Sequence, residues 1–277
     1  MNSSLLSGLL ALTVLLPAPT HAQQSLEERV VARVQGYLDS LHAANRFPGA
    51  QVGVALPDGK VLALSVGWAD TARHERMTTS HKLLQGSVGK TYVAAIALQL
   101  VHDGKLRLDE PIATYLGDEP WFSRLPNGRD VTVRMLMRHT SGLVRYEFME
   151  EFTRDLTANP TRVWKPEEQI AYILDRPPPF AAGEGWEYSD TNYIVLGMII
   201  EKITGRRYYD LAREQLLEPL RLTNTVPSDR QVIPGLSQGY AGPNNPFGGT
   251  DAMVVDGRFA INPQFEWTGG GMASTAE

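Results

Sequence analysis

Gln85 to Gly104 reads QGSVGKTYVAAIALQLVHDG, and the fold follows from how this stretch is read. From Tyr92 to Val101 the residues are apolar on nearly every side, which places a helix here inside a large domain, with Gly104 as its C-terminal cap. Ser87 stands at the mouth of that helix. Lys90, three residues on, shares its face, with Cβ atoms roughly 5–6 Å apart, and the helix N-terminus adds a field that favours developing negative charge. A serine hydroxyl is a weak nucleophile at neutral pH, and a neighbouring lysine can take its proton when burial holds that lysine partly neutral. The same spacing also describes a helix cap followed by an exposed lysine, so other stretches must decide.

At 277 residues, with 43% hydrophobic content and a net charge of −5, the chain can bury a sizeable core as one large domain or two interlocked ones. Mild acidity without a basic run argues against nucleic acid as a partner, and nothing after residue 22 is long and apolar enough for a membrane span. There is no cysteine, which removes thiol nucleophiles, disulfides and thiolate metal sites together. The histidines (His21, His42, His74, His81, His102, His139) form no H-E-x-x-H pattern, so a zinc hydrolase is unsupported and no cofactor is expected.

Residues 1–22 carry an apolar block from Leu5 to Leu16, then Pro17 and Thr20-His21-Ala22, which reads as an export signal cut after Ala22 and predicts a periplasmic or secreted protein. No Lys or Arg precedes the apolar block; the competing meaning is a buried N-terminal helix. From Ser25 the positions Leu26, Val30, Val34, Tyr37 and Leu41 recur at helical spacing until Asn45-Arg46-Phe47-Pro48-Gly49 stops the helix. Residues 50–56 and 61–69 predict a hairpin around Pro57-Asp58-Gly59-Lys60. The order helix, strand, strand, buried helix predicts an α+β domain with an antiparallel sheet. His139-Thr140-Ser141-Gly142-Leu143 offers a second base and nucleophile, but a polar turn ending in Gly is the commoner meaning. Residues 144–165 are charged and aromatic without a clean period and are expected to carry substrate specificity. Tyr188-Ser189-Asp190-Thr191-Asn192-Tyr193 feeds an apolar helix through Ile200 that stops at Thr204-Gly205. A polar loop entering a buried helix is a way to deliver side chains to a site, although Tyr188 as a core residue and Asp190 as an N-cap would account for the same pattern.

Taken together, S-V-G-K at 87–90, H-T-S-G-L at 139–143, Y-S-D-T-N-Y at 188–193, E-P-L at 218–220 with T-N-T at 223–225, and G-G-G-M-A-S-T at 269–275 resemble the serine β-lactamase-related family. That group includes class C β-lactamases, penicillin-binding D-Ala-D-Ala peptidases, D-aminopeptidases and esterases. The resemblance runs from about residue 28 onward and implies a β-lactamase/transpeptidase-like fold, an antiparallel sheet flanked by helices plus a mainly helical part at about residues 105–225. It also implies an acyl-enzyme mechanism on a small-molecule or peptide amide, lactam or ester. Ser87 would attack the carbonyl, Lys90 would hold and relay its proton, and Tyr188 would deliver it to the leaving group. The second motif of such proteins is commonly Y-x-N or S-x-N; here Asp190 stands in its third place, as a substrate-binding position that can accept but not donate. Ser189 could align with the S-x-N serine, but Asn192 then falls one residue late. The third motif, Lys or His before Thr or Ser and Gly, does not occur after residue 188.

A non-catalytic, penicillin-binding-like protein that binds peptidoglycan-type or peptide ligands is the rival expectation, fed by that absence. An α/β-hydrolase is disfavoured because Gln85, not Gly, stands two residues before Ser87. Oligomeric state is not readable from the residues. Ser274 and Glu277 have the spacing of a capping box, which predicts a helix start at the end of the chain. By the family resemblance, roughly a further hundred residues would follow, carrying the third motif, later sheet strands, one oxyanion donor and a C-terminal helix.

Overall fold

A computed structural model describes residues 25–242 and 251–277, so the export-like segment 1–22 lies outside the described residues. The first helix, α1 (Leu26–Asn45), opens on a capping box in which Glu28 N–H donates to Ser25 Oγ at 3.1 Å and Ser25 N–H to Glu28 Oε2 at 2.9 Å. It ends at Arg46 in the left-handed region. Its inward stripe is not the full set predicted from periodicity: Val30, Val34, Leu38 and His42 turn in, while Leu26, Tyr37 and Leu41 are exposed. The reason is where the sheet lies. Gln35 Nε2 donates to Ser65 O at 3.2 Å, and the His42 ring sits against Gly67, so the contact line follows the strand beneath rather than the richest apolar stripe.

That strand is β2 (Val61–Asp70), antiparallel to β1 (Gly49–Ala55) through a register that pairs Ala55 with Val61 across the turn where Gly59 takes φ +84°. With β3 (Glu75–Arg76) they form one sheet in the order β1-β2-β3. Ser87 follows β4 (Leu83–Leu84) by way of a 3-10 turn at Gly86–Gly89, and α2 (Lys90–His102) begins on the next residue. Helix α2 is not buried all round: Val93, Ile96, Ala97 and Leu100 are buried, whereas Leu98 is exposed.

Among the described residues six more α-helices follow: α3 (Ala113–Leu116), α4 (Val133–Arg138), α5 (Glu150–Ala158), α6 (Pro166–Ile170), α7 (Asp190–Thr204) and α8 (Tyr208–Ala212). Helix α7 is the axis of the core, buried at every residue from Thr191 to Ile200, and Gly205 closes it at φ +65°. It packs against α2, α4 and α6, beside an aromatic cluster of Tyr146, Phe152, Trp164 and Phe265. No described helix is long and apolar enough to cross a membrane.

The chain then supplies β5 (Val226–Pro227), the small ladder β6 (Val254–Val255) with β7 (Arg258–Phe259), and β8 (Met272–Ser274), which pairs antiparallel with both β4 and β5. The capping-box expectation at Ser274 is therefore corrected. Ser274 ends a central strand opposite Leu83, and its hydroxyl meets Thr225 Oγ1 at 2.7 Å instead of capping a helix. Ser87 follows β4 and Gly269–Gly271 precede its antiparallel neighbour β8, so the β4-β8 pairing brings the two segments side by side.

Candidate active site

Close approach of those two segments depends on glycine. A Cβ on Gly89 would lie 2.4 Å from Gly270 O, and one on Gly270 would lie 2.5 Å from Gly86 O, both impossible contacts. The turn that presents Gly269 is held out of ordinary backbone geometry, with Trp267 at φ 36° and ψ −118°. Gly271 N–H donates back to Trp267 O at 2.7 Å. The Gly269 carbonyl is thereby aimed at Lys90.

Lys90 is 6% exposed. Its Nζ donates to Ser87 Oγ at 3.1 Å, to Gly269 O and to Asp190 Oδ1, which fills the three donor positions of an ammonium. The structure thus brings Ser87, Lys90 and Asp190 together, from the 3-10 turn, the first residue of α2 and the first residue of α7. Asp190, expected as a substrate-binding position, is an ion-pair partner of Lys90. Its second oxygen accepts from an Arg145 guanidinium nitrogen at 3.1 Å.

Tyr188 is placed differently from the sequence expectation. Its ring lies under Lys90, with Nζ 4.9 Å from the centroid, and stacks on His139 at 4.4 Å. The hydroxyl is enclosed and has no hydrogen-bond partner among the described residues, so the ring face, not the hydroxyl, is what meets Lys90. His139 anchors this layer: its Nδ1 accepts from Ser189 N–H at 3.2 Å and faces Asn192 Nδ2 at 3.1 Å, which leaves any ring proton on Nε2. Burial, then the Lys90 charge, push its pKa down. Ser189 N-caps α7 and its Oγ donates to Val144 O at 3.3 Å, away from Ser87. Ser141 is fully buried, its Oγ bonded to Asn192 Oδ1 and accepting from Leu143 N–H at 3.0 Å, so the His139-to-Leu143 turn latches α4 to α7.

The sequence did not single out three further residues at the site: Arg145, Glu147 and Glu266. A cavity of about 180 Å³ opens beside Ser87, lined among others by Arg145, Glu147, Phe148, Asp190 and Glu266. Arg145 Nε donates to Glu147 Oε1 at 2.9 Å, and the guanidinium lies over the Phe148 ring at 4.1 Å. Burial, with the neighbouring Asp190 carboxyl, pushes Glu147 up to about 8. Burial and the Asp190 charge push Glu266 up to about 7. For Asp190 burial works upward, but the Glu147 carboxyl, Lys90 and Arg145 outweigh it and hold it below its ordinary value. The only advance signal for Arg145 and Glu147 was the aperiodic, charged and aromatic stretch 144–165; Glu266 had none.

The Beta-lactamase family model matches residues 30–277. The chain belongs to the beta-lactamase family. Among curated proteins it is 31% identical over 204 residues to penicillin-binding protein 4 of Amycolatopsis lactamdurans, covering 73% of this chain and 50% of that protein. It is 26% identical over 207 residues to the teichoic acid D-alanine hydrolase of Staphylococcus aureus, covering 74% of this chain and 47% of that protein. The chain thus spans about half the length of these curated relatives. Among solved structures, a D-stereospecific amidohydrolase from Streptomyces sp. superposes with a TM-score of 0.72 at 29% identity, over 86% of this chain and 68% of that one. The fold is accordingly α+β of the β-lactamase/transpeptidase type, as the motif order implied.

Proposed function

We propose that this protein is a serine acyl hydrolase of amide, lactam or ester substrates, with Ser87 as nucleophile. The observation that carries the reading is the 3.1 Å contact between Lys90 Nζ and Ser87 Oγ at the edge of an open cavity. The step requires Lys90 as the free amine, with Ser87 O–H donating across the 3.1 Å contact: Ser87 Oγ then bonds to the substrate carbonyl carbon as the C=O π electrons move onto oxygen, its proton passes to Lys90, and Asp190 balances the ammonium so formed. The proton continues through Tyr188 to the leaving amine or alcohol as the C–N or C–O bond breaks. Water then attacks the acyl carbon, its proton returns along the same path, and Ser87 is released. Tyr188 is assigned this role because its ring lies under Lys90 and its hydroxyl has no other hydrogen-bond partner among the described residues. The relatives named penicillin-binding protein, D-alanine hydrolase and D-stereospecific amidohydrolase support acyl transfer as the reaction class.

Ser87→Ala is expected to abolish both turnover and covalent labelling by a fluorophosphonate, with folding intact. A labelled peptide containing Ser141 instead would overturn the assignment. A second reading, a non-catalytic ligand-binding member, is favoured by the absence of a bond from Tyr188 to Ser87. It predicts Ser87 labelling without turnover of penicillin, cephalosporin, D-Ala-D-Ala peptide or p-nitrophenyl ester. Residues 1–22 are proposed to direct export to the periplasm or beyond, and a mature N-terminus at Gln23 in the exported protein is the check.

A further inference from the structure

Two cations share one carboxylate beside Ser87. Asp190 Oδ1 accepts from Lys90 Nζ, and Asp190 Oδ2 accepts from an Arg145 guanidinium nitrogen at 3.1 Å. Arg145, the most open of the three side chains, is 29% exposed, so water screens these charges only in part. Arg145 is itself fixed: two of its nitrogens bond Glu147 Oε1 at 2.8 and 2.9 Å, and the guanidinium lies over the rings of Phe148 at 4.1 Å and Tyr188 at 5.1 Å. Glu147, pushed up to about 8 by burial and by its hydrogen bond to Asp190, mostly holds its proton at neutral pH, so it does not cancel the guanidinium charge. The remaining neighbours of Lys90 bring little charge there. Ser87 Oγ stands at 3.1 Å, the ring faces of Tyr188 and Tyr193 at 4.9 and 5.5 Å, and His139, stacked on Tyr188, has its pKa pushed down by burial. Glu266, which burial pushes up to about 7, is partly protonated.

We propose that Arg145 is a positioning residue for the proton transfer: a fixed cation on the far oxygen of Asp190, it offsets the anion that would otherwise hold the proton on Lys90, and so lets Lys90 stand as the free amine that Ser87 needs. This deepens the reading of Ser87 as the nucleophile and rests on it. An Asp190 serving Lys90 alone would lock the ammonium in place, and an ammonium cannot accept the serine proton. With Arg145 present, release of the lysine proton to solvent does not leave a buried carboxylate without a counter-charge. Lys90 is the partner that yields, because a guanidinium does not deprotonate in a protein. When Ser87 Oγ bonds to the carbonyl carbon, the serine proton takes the lone pair on Lys90 Nζ, and two cations again flank Asp190. Arg145 touches neither the nucleophile nor the reacting atoms in this step; it acts through Asp190.

The test is the pH dependence of Ser87 labelling by a fluorophosphonate, which requires no substrate to be known. In the wild-type protein the labelling rate should rise with pH as Lys90 gives up its proton. Arg145→Gln is expected to move that rise upward by about one pH unit, a loss of about tenfold at any pH on the slope. Arg145→Lys, which keeps the charge, should recover most of the wild-type profile, and Asp190→Asn, which removes the anion, should move the rise downward. Repeating the Arg145 comparison in the Glu147→Gln background excludes the one other titrating side chain bonded to Arg145. A purely structural role lowers the rate of Arg145→Gln by the same factor at every pH, and that result overturns the proposal. So does a displacement that vanishes in the Glu147→Gln background, or a rise in Asp190→Asn that moves upward, a comparison that stands even where Arg145→Gln does not fold. A wild-type protein unlabelled at every pH overturns the reading of Ser87 as the nucleophile, and the role of Arg145 falls with it.

Discussion

Lys90 places its three donors on three different segments of the chain, and this makes it the residue on which the site's geometry turns. A flexible four-carbon stem is ordinarily a poor positioning device, but here Asp190, Gly269 and the aromatic face of Tyr188 define one position for the nitrogen. Asp190 in the place usually held by Asn changes what that position means. An amide could both accept from Lys90 and donate to a substrate, whereas a carboxylate paired with Lys90 and Arg145 only accepts, so substrate donors rather than acceptors are favoured there. Tyr188→Phe keeps the ring that stacks on His139 and removes only the hydroxyl. If Tyr188 carries the proton, kcat should fall by about two to four orders of magnitude with KM little changed. A near-normal rate in that variant, with a large loss in Ser189→Ala, would transfer the role to Ser189. Ser141→Ala should separate structure from chemistry: leaving Asn192 Oδ1 without its buried donor should cost about 1–3 kcal/mol of stability, read by urea denaturation, while fluorophosphonate labelling of Ser87 persists.

At the scale of elements, the β4-β8 pairing and the turn at Trp267 bring Gly269 to Lys90, with Gly89 and Gly270 packed too closely for a side chain on either. Gly89→Ala inserts a methyl where 2.4 Å separates it from a backbone carbonyl, so the Gly269 turn must retreat. The expected result is a fluorophosphonate labelling rate reduced by about tenfold or more, because misplacement of about 1 Å near a reacting centre costs up to two orders of magnitude. An unchanged rate would mean that the Gly269 carbonyl does not position Lys90. Elements of this kind differ in how plainly the residues announce them. The hairpin at Gly59, helix α2 and helix α7 were legible because each is specified by local pattern: a turn residue, an apolar run, a glycine stop. The inward face of α1 was not, because Val30, Val34, Leu38 and His42 were chosen by where Ser65 and Gly67 lie. Ser274 was misread for the same reason, since the spacing to Glu277 is local information and pairing with Leu83 is not. Of the site, Ser87, Lys90, Tyr188 and Asp190 stood out by motif. Arg145, Glu147 and Glu266 become meaningful only when the chain closes, bringing position 266 to the cavity that positions 145 and 147 already wall.

For the whole molecule, the enclosed carboxyls couple folding to pH in a direction opposite to that of a typical acidic surface pair. Glu147 and Glu266 have ordinary values near 4.5 in the unfolded chain and are pushed up to about 8 and about 7 in the fold. Between those limits the folded protein holds protons that the unfolded chain has released. Stability from this source is therefore complete below about pH 4.5 and is lost as pH rises through about 7 and then about 8. His139 acts at the other end: its folded pKa lies below the ordinary 6.5, so the unfolded chain binds a proton first and stability falls as pH drops through that region. Asp190, held below 3.8, adds a loss only at still lower pH. The contribution of these two carboxyls to the wild-type melting temperature should consequently decline from about pH 4.5 to about pH 8 and level off above that. In the Glu147→Gln, Glu266→Gln double variant that decline should flatten, leaving the opposing fall with acid set by His139 exposed below about pH 6.5. Thermal melts of both proteins in buffers of matched ionic strength make the comparison, and parallel curves from about pH 5 to pH 8 would show that neither carboxyl is protonated in the fold near neutral pH.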